Sequence, residues 1–295
     1  MAPFLAPAPS RALAAGLILC ASAAIAATTL LAKAAGTGAL GAPLHPMQVA
    51  QGRFLFAFLG IAAAAALLRP PRGRVHWRLH VARTSCGATG VTLMFAAAAQ
   101  IPLSDATAIT FLNPVFAMLL AIPLLGERVG PVRWAAAAIA LCGAAILLRP
   151  GAGVLETGAL LALCAAVAMG LEMIFIKRLS GRERPVQVLF VNNALGLAIT
   201  TLAALSVWTP PTAAQWAALC ALGLSMAVAQ ACYLGAMARA EASFVAPFGY
   251  ATLVFATVYD AAIFAVRPDA VSILGACVVL AGAGLLAWRE ARLRA

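Results

Sequence analysis

The stretch DATAITFLNPVFAMLLAIPLLGE, residues 105–127, decides the class of fold. It is mostly apolar and long enough to cross about 30 Å of hydrocarbon as a helix, yet Asn113-Pro114 stands at its centre. Proline removes one backbone hydrogen bond and clashes with the preceding turn, so the sequence predicts a kinked membrane-spanning helix. Two interpretations stay open. Either the kink lines a cavity in which Asn113 faces a substrate, or helix packing sets the kink and Asn113 is bonded across helices.

The composition extends this interpretation to the whole chain. Of the 295 residues, 64% are hydrophobic and 10% are charged, and the mean hydropathy is +1.00. Soluble domains are roughly half apolar and a quarter charged. The apolar residues form blocks of about 20, separated by turn-rich or charged segments, which predicts an all-α polytopic membrane protein of ten transmembrane helices. The predicted spans are 11–32, 46–68, 84–101, 104–125, 131–149, 155–176, 185–208, 214–237, 242–265 and 270–288.

The charge distribution predicts the orientation of the spans. The net charge is +11, but the basic residues lie between apolar blocks instead of forming one patch, which argues against a nucleic-acid partner. Sixteen of the twenty Lys and Arg residues fall on the side of the termini and three fall on the other side. The positive-inside rule therefore predicts cytoplasmic N- and C-termini. The alanine-rich composition suggests a bacterial protein, and hence a multi-pass protein of the inner (plasma) membrane.

The two halves of the chain are similar at an offset of 139 residues. Ser104 then falls on Ser243, residues 115–117 fall on 254–256, and Gly143 falls on Gly282. Each half, 1–150 and 151–295, contains five predicted spans, and an odd number makes the second copy insert upside down. Inverted repeats are typical of transporters whose substrate site lies near the membrane midplane between the copies.

Longer motifs resemble a known family. Residues 103–151 resemble the EamA domain of the drug/metabolite transporter superfamily, and so do 241–256 and 274–290 in the second half. Arg53 is similar to the arginine in the second span of that family. The resemblance implies two inverted five-helix repeats and a secondary transporter, often an exporter of metabolites. Ala265-Val266 stands where the second repeat usually has Gly-Glu, so Glu127 is not expected to have a symmetric partner.

Charged residues within the spans are the first candidates for a substrate site. A mid-span arginine costs on the order of 2.5–3.5 kcal/mol, so Arg53 needs an anionic substrate, a carboxylate partner or access to the interface. Asp260 is the expected partner, and both side chains are expected to face a shared interior. Glu172 is either a proton-coupling carboxylate or a local partner of Lys177 or Arg178, and Asp260 is a second proton-coupling candidate. Lys33 is interpreted as an anchor at the membrane interface.

Neutral polar groups within the spans complete the candidate site. Asn113, Asn192, Asn193, Gln230 and Tyr250 carry donors and acceptors that suit a polar metabolite, and each serves equally well as a hydrogen-bonding contact between helices. Two further residues are assigned to kinking or gating. They are Pro114, within the fourth span, and Glu127, at its exit.

Other classes of function fit the sequence less well. The half serine elbow at 223–227 lacks a second glycine, and His45, His76 and His80 all fall outside the predicted spans, so an intramembrane enzyme is disfavoured. No metal site and no cofactor are expected, and a homodimer has only weak support from spacings of small residues. The expected function is export of a small polar or amino-acid-like metabolite. The alternative is import of a vitamin-like or nucleoside-like compound.

Overall fold

The computed structural model describes residues 10–68, 73–126, 129–148, 157–179, 182–240, 245 and 248–294. Every regular element among them is helical. A short 3₁₀ turn, Leu205–Val207, follows the eighth helix. The α-helices are α1 (Arg11–Gly36), α2 (Pro46–Leu68), α3 (Trp77–Ala98), α4 (Leu103–Thr110), α5 (Asn113–Leu125), α6 (Pro131–Leu148), α7 (Thr157–Leu179), α8 (Pro185–Ala204), α9 (Ala213–Met237), α10 (Ala251–Phe264) and α11 (Ala270–Arg294).

Within the described ranges, six helical segments are long and apolar enough to cross a membrane, and one of them consists of α4 and α5 together, Leu103–Leu125. Three more apolar segments are shorter: Pro131–Leu147, Ala251–Phe264 and Ala270–Leu285. The third predicted span, 84–101, is displaced, because α3 begins at Trp77. His80 and Arg83, which the sequence assigned to a loop, therefore lie on α3 and are buried.

The fourth predicted span is interrupted before Pro114 instead of kinked by it. α4 ends at Thr110, and Phe111 and Leu112 form a turn. Pro114 is the second residue of α5. A proline in the first turn of a helix is well tolerated, because its missing N–H would have no partner there. The interruption therefore lies before Pro114, which belongs to the first turn of the next helix. The prediction of a kink within one continuous helix was wrong.

Helix ends in the two halves correspond at the same 139-residue offset. Tyr250 directly precedes α10, and Phe111, which is 139 residues earlier, stands two residues before α5; these two rings meet edge to face with their centroids 5.4 Å apart. The C-caps Gly126 and Ala265 are also 139 residues apart, and both are left-handed, with φ of 67° and 55°. Ala265 keeps this conformation without being glycine, although a left-handed alanine carries a steric cost.

The packing of α6 against α11 is reciprocal under the same offset. A Cβ on Gly143 would lie 2.5 Å from the Val279 nitrogen and 2.9 Å from the Gly275 oxygen. A Cβ on Gly282 would lie 2.5 Å from the Ala140 nitrogen and 2.7 Å from the oxygen of residue 136. Glycine thus allows the two backbones to touch. The largest apolar cluster lies beside this contact, where α4 to α7 meet α11.

We expect Gly282→Ala to lower the thermal unfolding temperature in detergent. The added methyl would push apart two backbones, and overpacking of this kind costs about 1–3 kcal/mol. Gly284→Ala, two residues along the same helix, is the matched control, because nothing lies within 4 Å of its Cβ position. That control should leave stability unchanged or raise it slightly. Equal effects of the two substitutions would contradict the close contact.

Candidate functional site

Arg53 lies on α2, seven residues after Pro46, and its side chain is buried as predicted. Its guanidinium carbon lies 4.4 Å from the ring centroid of Phe54, a cation–π arrangement. The buried Nη1 atom has no hydrogen-bond partner among the described residues. Gly196 of α8 leaves room for the Phe54 ring, because a Cβ at Gly196 would overlap that ring. The arginine is thus held inside the bundle with unused donor capacity.

Glu172 contacts one arginine inside the bundle and lies within electrostatic range of a second. Its Oε1 atom is 3.4 Å from Nε of Arg83, and its carboxylate interacts electrostatically with Arg53 as well. Gly87 on α3 makes room for it, since a Cβ there would lie 2.8 Å from the carboxylate. Nε and Nη1 of Arg83 are buried and lack a well-directed hydrogen bond among the described residues. Two guanidinium groups and one carboxylate leave an excess of one positive charge.

Arg83 is the main member of this site that sequence reasoning missed. The sequence placed it in the basic loop before the third span, where it counted toward the orientation. The alternative partners for Glu172, Lys177 and Arg178, were also wrong, because Arg83 is the residue in contact. The sequence contained one indication that this segment is helical. Arg83 and Thr84 follow His80 at the i+3 and i+4 positions, which share one face of a helix.

The neutral polar candidates lie on helices around the charged cluster. Thr84, next to Arg83, donates to Oδ1 of Asn192 at 3.1 Å, and both residues are buried. Asn193 donates through Nδ2 to the Leu189 carbonyl at 2.8 Å and to Oε1 of Gln230 at 3.2 Å. The Asn193 Oδ1 atom is buried without a partner among the described residues. These amides link α3, α8 and α9.

The remaining neutral candidates sit at the helix break. Asn113 begins α5, and its carbonyl would lie 2.9 Å from a Cβ at Gly170, two residues before Glu172. Tyr250, directly before α10, packs its ring against Phe111 in the break between α4 and α5. Both side chains are half-buried. Glu127 lies outside the described residues.

Asp260 pairs with Lys33 and not with Arg53. The Lys33 Nζ atom lies 2.6 Å from Oδ1 of Asp260, and the Leu103 backbone N–H donates to Oδ2 at 2.7 Å. Lys33 is 6% exposed and Asp260 is 1% exposed, so Lys33 is not an interface anchor. The expectation that both Arg53 and Asp260 are buried is confirmed, but their pairing was wrong. The ion pair joins α1 to α10 near the end of the bundle where α3 finishes.

A second polar cluster joins the halves at the opposite end, where α3 begins. Glu183 accepts hydrogen bonds from the His76 backbone N–H at 2.7 Å and from Gln187 at 2.8 Å, and both histidine rings lie 2.9 Å from its oxygens. Burial raises the pKa of Glu183, but the hydrogen bonds with His80, His76 and Gln187 outweigh burial and lower it to about 2. The carboxylate is therefore ionised at neutral pH, and it fastens the segment before α3 to the segment before α8.

The sequence profile of the EamA-like transporter family matches residues 12–149 and again residues 156–288. The chain belongs to the EamA-like transporter family. The two matched stretches cover nearly all of the residues that form the bundle. This EamA protein is a multi-pass membrane protein, and its buried charged cluster lies among helices of both matched stretches.

Named relatives of this EamA protein are bacterial transporters. A riboflavin transporter of Rhizobium johnstonii is 33% identical over 249 residues, covering 81% of this chain and 78% of that protein. An S-adenosylmethionine uptake transporter of Rickettsia bellii is 27% identical and covers 82% of this chain and 83% of its own length. A pseudopaline exporter of Pseudomonas aeruginosa is 27% identical, with 66% and 69% covered.

A solved crystal structure has the same fold. The superposition has a TM-score of 0.62 at 22% sequence identity and covers 94% of this chain and 98% of the other. The helical bundle of the EamA protein is therefore shared with an experimentally determined structure.

Proposed function

We propose that this EamA protein is a secondary-active transporter of a small polar metabolite that carries an anionic group. The cluster of buried Arg53, buried Arg83 and half-buried Glu172 is the single observation that supports this proposal most strongly. Its donors Nη1 of Arg53 and Nη1 of Arg83 are buried without partners among the described residues. A carboxylate or phosphate of the substrate would satisfy them with charge-assisted hydrogen bonds. Asn113, Asn192, Asn193, Gln230 and Tyr250 are the proposed orienting groups.

The proposed architecture is ten transmembrane helices in two inverted five-helix repeats, divided near residue 150. The separate family matches on either side of that point support it. The reciprocal glycine contacts of Gly143 and Gly282 and the paired left-handed caps also support it. Two copies related by an in-plane axis would place the site between them, near the midplane. The arginine-rich end then faces the cytoplasm, together with both termini.

Glu172 is the proposed proton-coupling residue. Among the described residues, its carboxylate pairs with Arg83 alone, at 3.4 Å, whereas Asp260 is held by Lys33 and by the Leu103 N–H. The ammonium group of an amino-acid-like substrate and a proton would compete for the Glu172 carboxylate. This competition would couple transport of the substrate to movement of protons in the opposite direction. A substrate with only an anionic group would instead favour protonation of Glu172 and travel together with the proton. The charge of the substrate thus decides the sense of coupling.

Alternating access needs contacts between the halves that break in turn. The Lys33–Asp260 pair closes one end of the bundle, and the Glu183 cluster with His76 and His80 closes the other. The two clusters lie at opposite ends of α3, which spans about 33 Å at 1.5 Å per residue. We propose that opening toward either side requires separation of the cluster at that side while the other stays closed.

Export is the proposed direction, with import as the second candidate. Export fits exchange of an amino-acid-like substrate for protons that enter the cell, and one relative is named an exporter. Import is favoured by the relatives named S-adenosylmethionine uptake transporters. The import candidate would carry a vitamin-like or nucleoside-like compound held mainly by the neutral Asn and Tyr groups, with Arg53 structural, so it differs from export in substrate as well as in direction.

A metabolite survey of cells and medium would test the proposal. Strains would have the gene deleted, restored, or restored as Arg53→Ala, with riboflavin and S-adenosylmethionine among the compounds followed. A compound that accumulates inside the deletion strain and leaves on restoration would name the substrate and establish export. A compound lost from the interior on deletion would establish import. Identical profiles in deleted and restored strains grown with those compounds would contradict the proposal.

A further inference from the structure

A groove on the surface of the bundle carries a charge that the transport site does not explain. It has a volume of about 600 Å³, within the roughly 300–1,000 Å³ of small-ligand pockets. It lies between the start of α3 and the end of α7, outside the buried cluster. Its lining residues are Arg74, Val75, His76, Trp77, Arg78, Leu79, Arg178 and Arg182.

The electrostatics of the groove favour an anion. Four of its eight lining residues within the described ranges are arginines, and none of those eight is acidic. The side chain of the nearby Glu183 is buried and contacts His76 and His80. When Glu183 is counted with the groove, four positive charges still face one negative charge. The N-terminus of α3 carries partial positive charge, which the Glu183 carboxylate partly offsets by accepting from the His76 N–H.

The geometry points to a phosphate group as the ligand. Guanidinium groups bind phosphate through paired N–H donors, and arginines on two walls of a groove surround an oxygen-rich group from several sides. Arg74 and Arg78 lie on the α3 wall, while Arg178 and Arg182 lie on the α7 wall. We propose that this groove binds a phosphate-bearing ligand that bridges the two walls.

The surroundings of the groove favour a phospholipid headgroup as the source of that phosphate. Trp77, a lining residue, is 59% exposed, and an exposed tryptophan at the end of a membrane-length helix is typical of the headgroup region. Basic pockets at the cytoplasmic ends of transmembrane helices bind acidic headgroups. A ligand there would join the segment before α3 to the end of α7, beside the contact that Glu183 makes between the segments before α3 and α8.

Binding of short-chain phosphatidylglycerol to the full chain in neutral detergent tests this proposal. The groove variant Arg74→Gln/Arg182→Gln should weaken binding roughly 30-fold, because each arginine near a lipid surface contributes about 5-fold. Arg239→Gln/Arg267→Gln removes the same charge elsewhere and should leave the affinity unchanged. Phosphatidylcholine, which has no net charge, should bind far more weakly than phosphatidylglycerol.

A single variant and a second ligand distinguish the remaining outcomes of this experiment. Should the double variant fail to fold, Arg182→Gln alone should still weaken binding about 5-fold. Inorganic phosphate that binds with the same dependence on Arg74 and Arg182, while phosphatidylglycerol does not bind at all, would support the phosphate site and assign it to a soluble ligand. Equal loss in the groove and control variants would overturn the proposal, and so would phosphatidylglycerol binding that ignores both.

Discussion

Arg53→Ala should reduce transport by at least about 30-fold while leaving the amount of protein in the membrane nearly normal. A buried, charge-assisted hydrogen bond to a ligand is worth about 2–5 kcal/mol, and 2 kcal/mol is roughly 30-fold. Folding is expected to be less affected than transport, because Nη1 of Arg53 has no partner in the part of the chain that the structure describes and removal of Arg53 leaves Arg83 to neutralise Glu172. The measurement is transport of the surveyed compound, normalised to protein abundance.

Two variants separate a role in the site from a general effect. Arg53→Lys keeps the charge but loses the planar donor geometry, so its activity should be intermediate. Arg239→Ala, just after α9, where Nη1 donates to the Gly235 carbonyl of that helix, should transport normally. Transport by Arg53→Ala at the wild-type rate would remove Arg53 from the substrate site.

Breaking the Lys33–Asp260 pair should have the largest effect on stability. Both side chains are buried, so replacing one leaves an uncompensated charge, which costs about 3–5 kcal/mol. Lys33→Met and Asp260→Leu should each lower the unfolding temperature in detergent markedly. Asp260→Leu should be the more severe, because the Leu103 N–H also loses its acceptor, at a further cost of about 1–3 kcal/mol.

The double variant distinguishes an ion pair from two independent contacts. Lys33→Met/Asp260→Leu removes both charges together and should recover much of the stability lost by either single variant. If the pair also closes one side of the transporter, this stable double variant should transport slowly. Additive destabilisation in the double variant would contradict the pairing.

Sequence patterns were sufficient for the class of fold and for the burial of Arg53. Apolar blocks of membrane length predict helices directly, and the family motifs of residues 103–151 predict the family that the profile match confirms. A charged residue inside such a block must face the bundle or a polar partner, which is why the burial of Arg53 and Asp260 was predictable.

The partners of those charges could not be predicted, because partnership depends on how each helix is rotated about its axis. Lys33 and Asp260 are 227 residues apart, and only the packing of α1 against α10 brings them to 2.6 Å. Arg83 was missed because the residues around it are too polar to be recognised as part of a membrane span, although α3 continues through them. The helix break at Phe111 and Leu112 was expected at Pro114 for a similar reason: a proline signal marks the region of a break and not its first residue.

Counterflow in proteoliposomes tests most directly whether one buried site is exposed alternately to the two sides. Vesicles carrying the purified chain would be loaded with the unlabelled compound identified by the survey and diluted into a trace of labelled compound. Alternating access predicts that the label rises transiently above its outside concentration, and that Arg53→Ala abolishes this rise. Label that only equilibrates in wild-type vesicles, or a rise that persists unchanged in Arg53→Ala, would contradict a carrier built around this site.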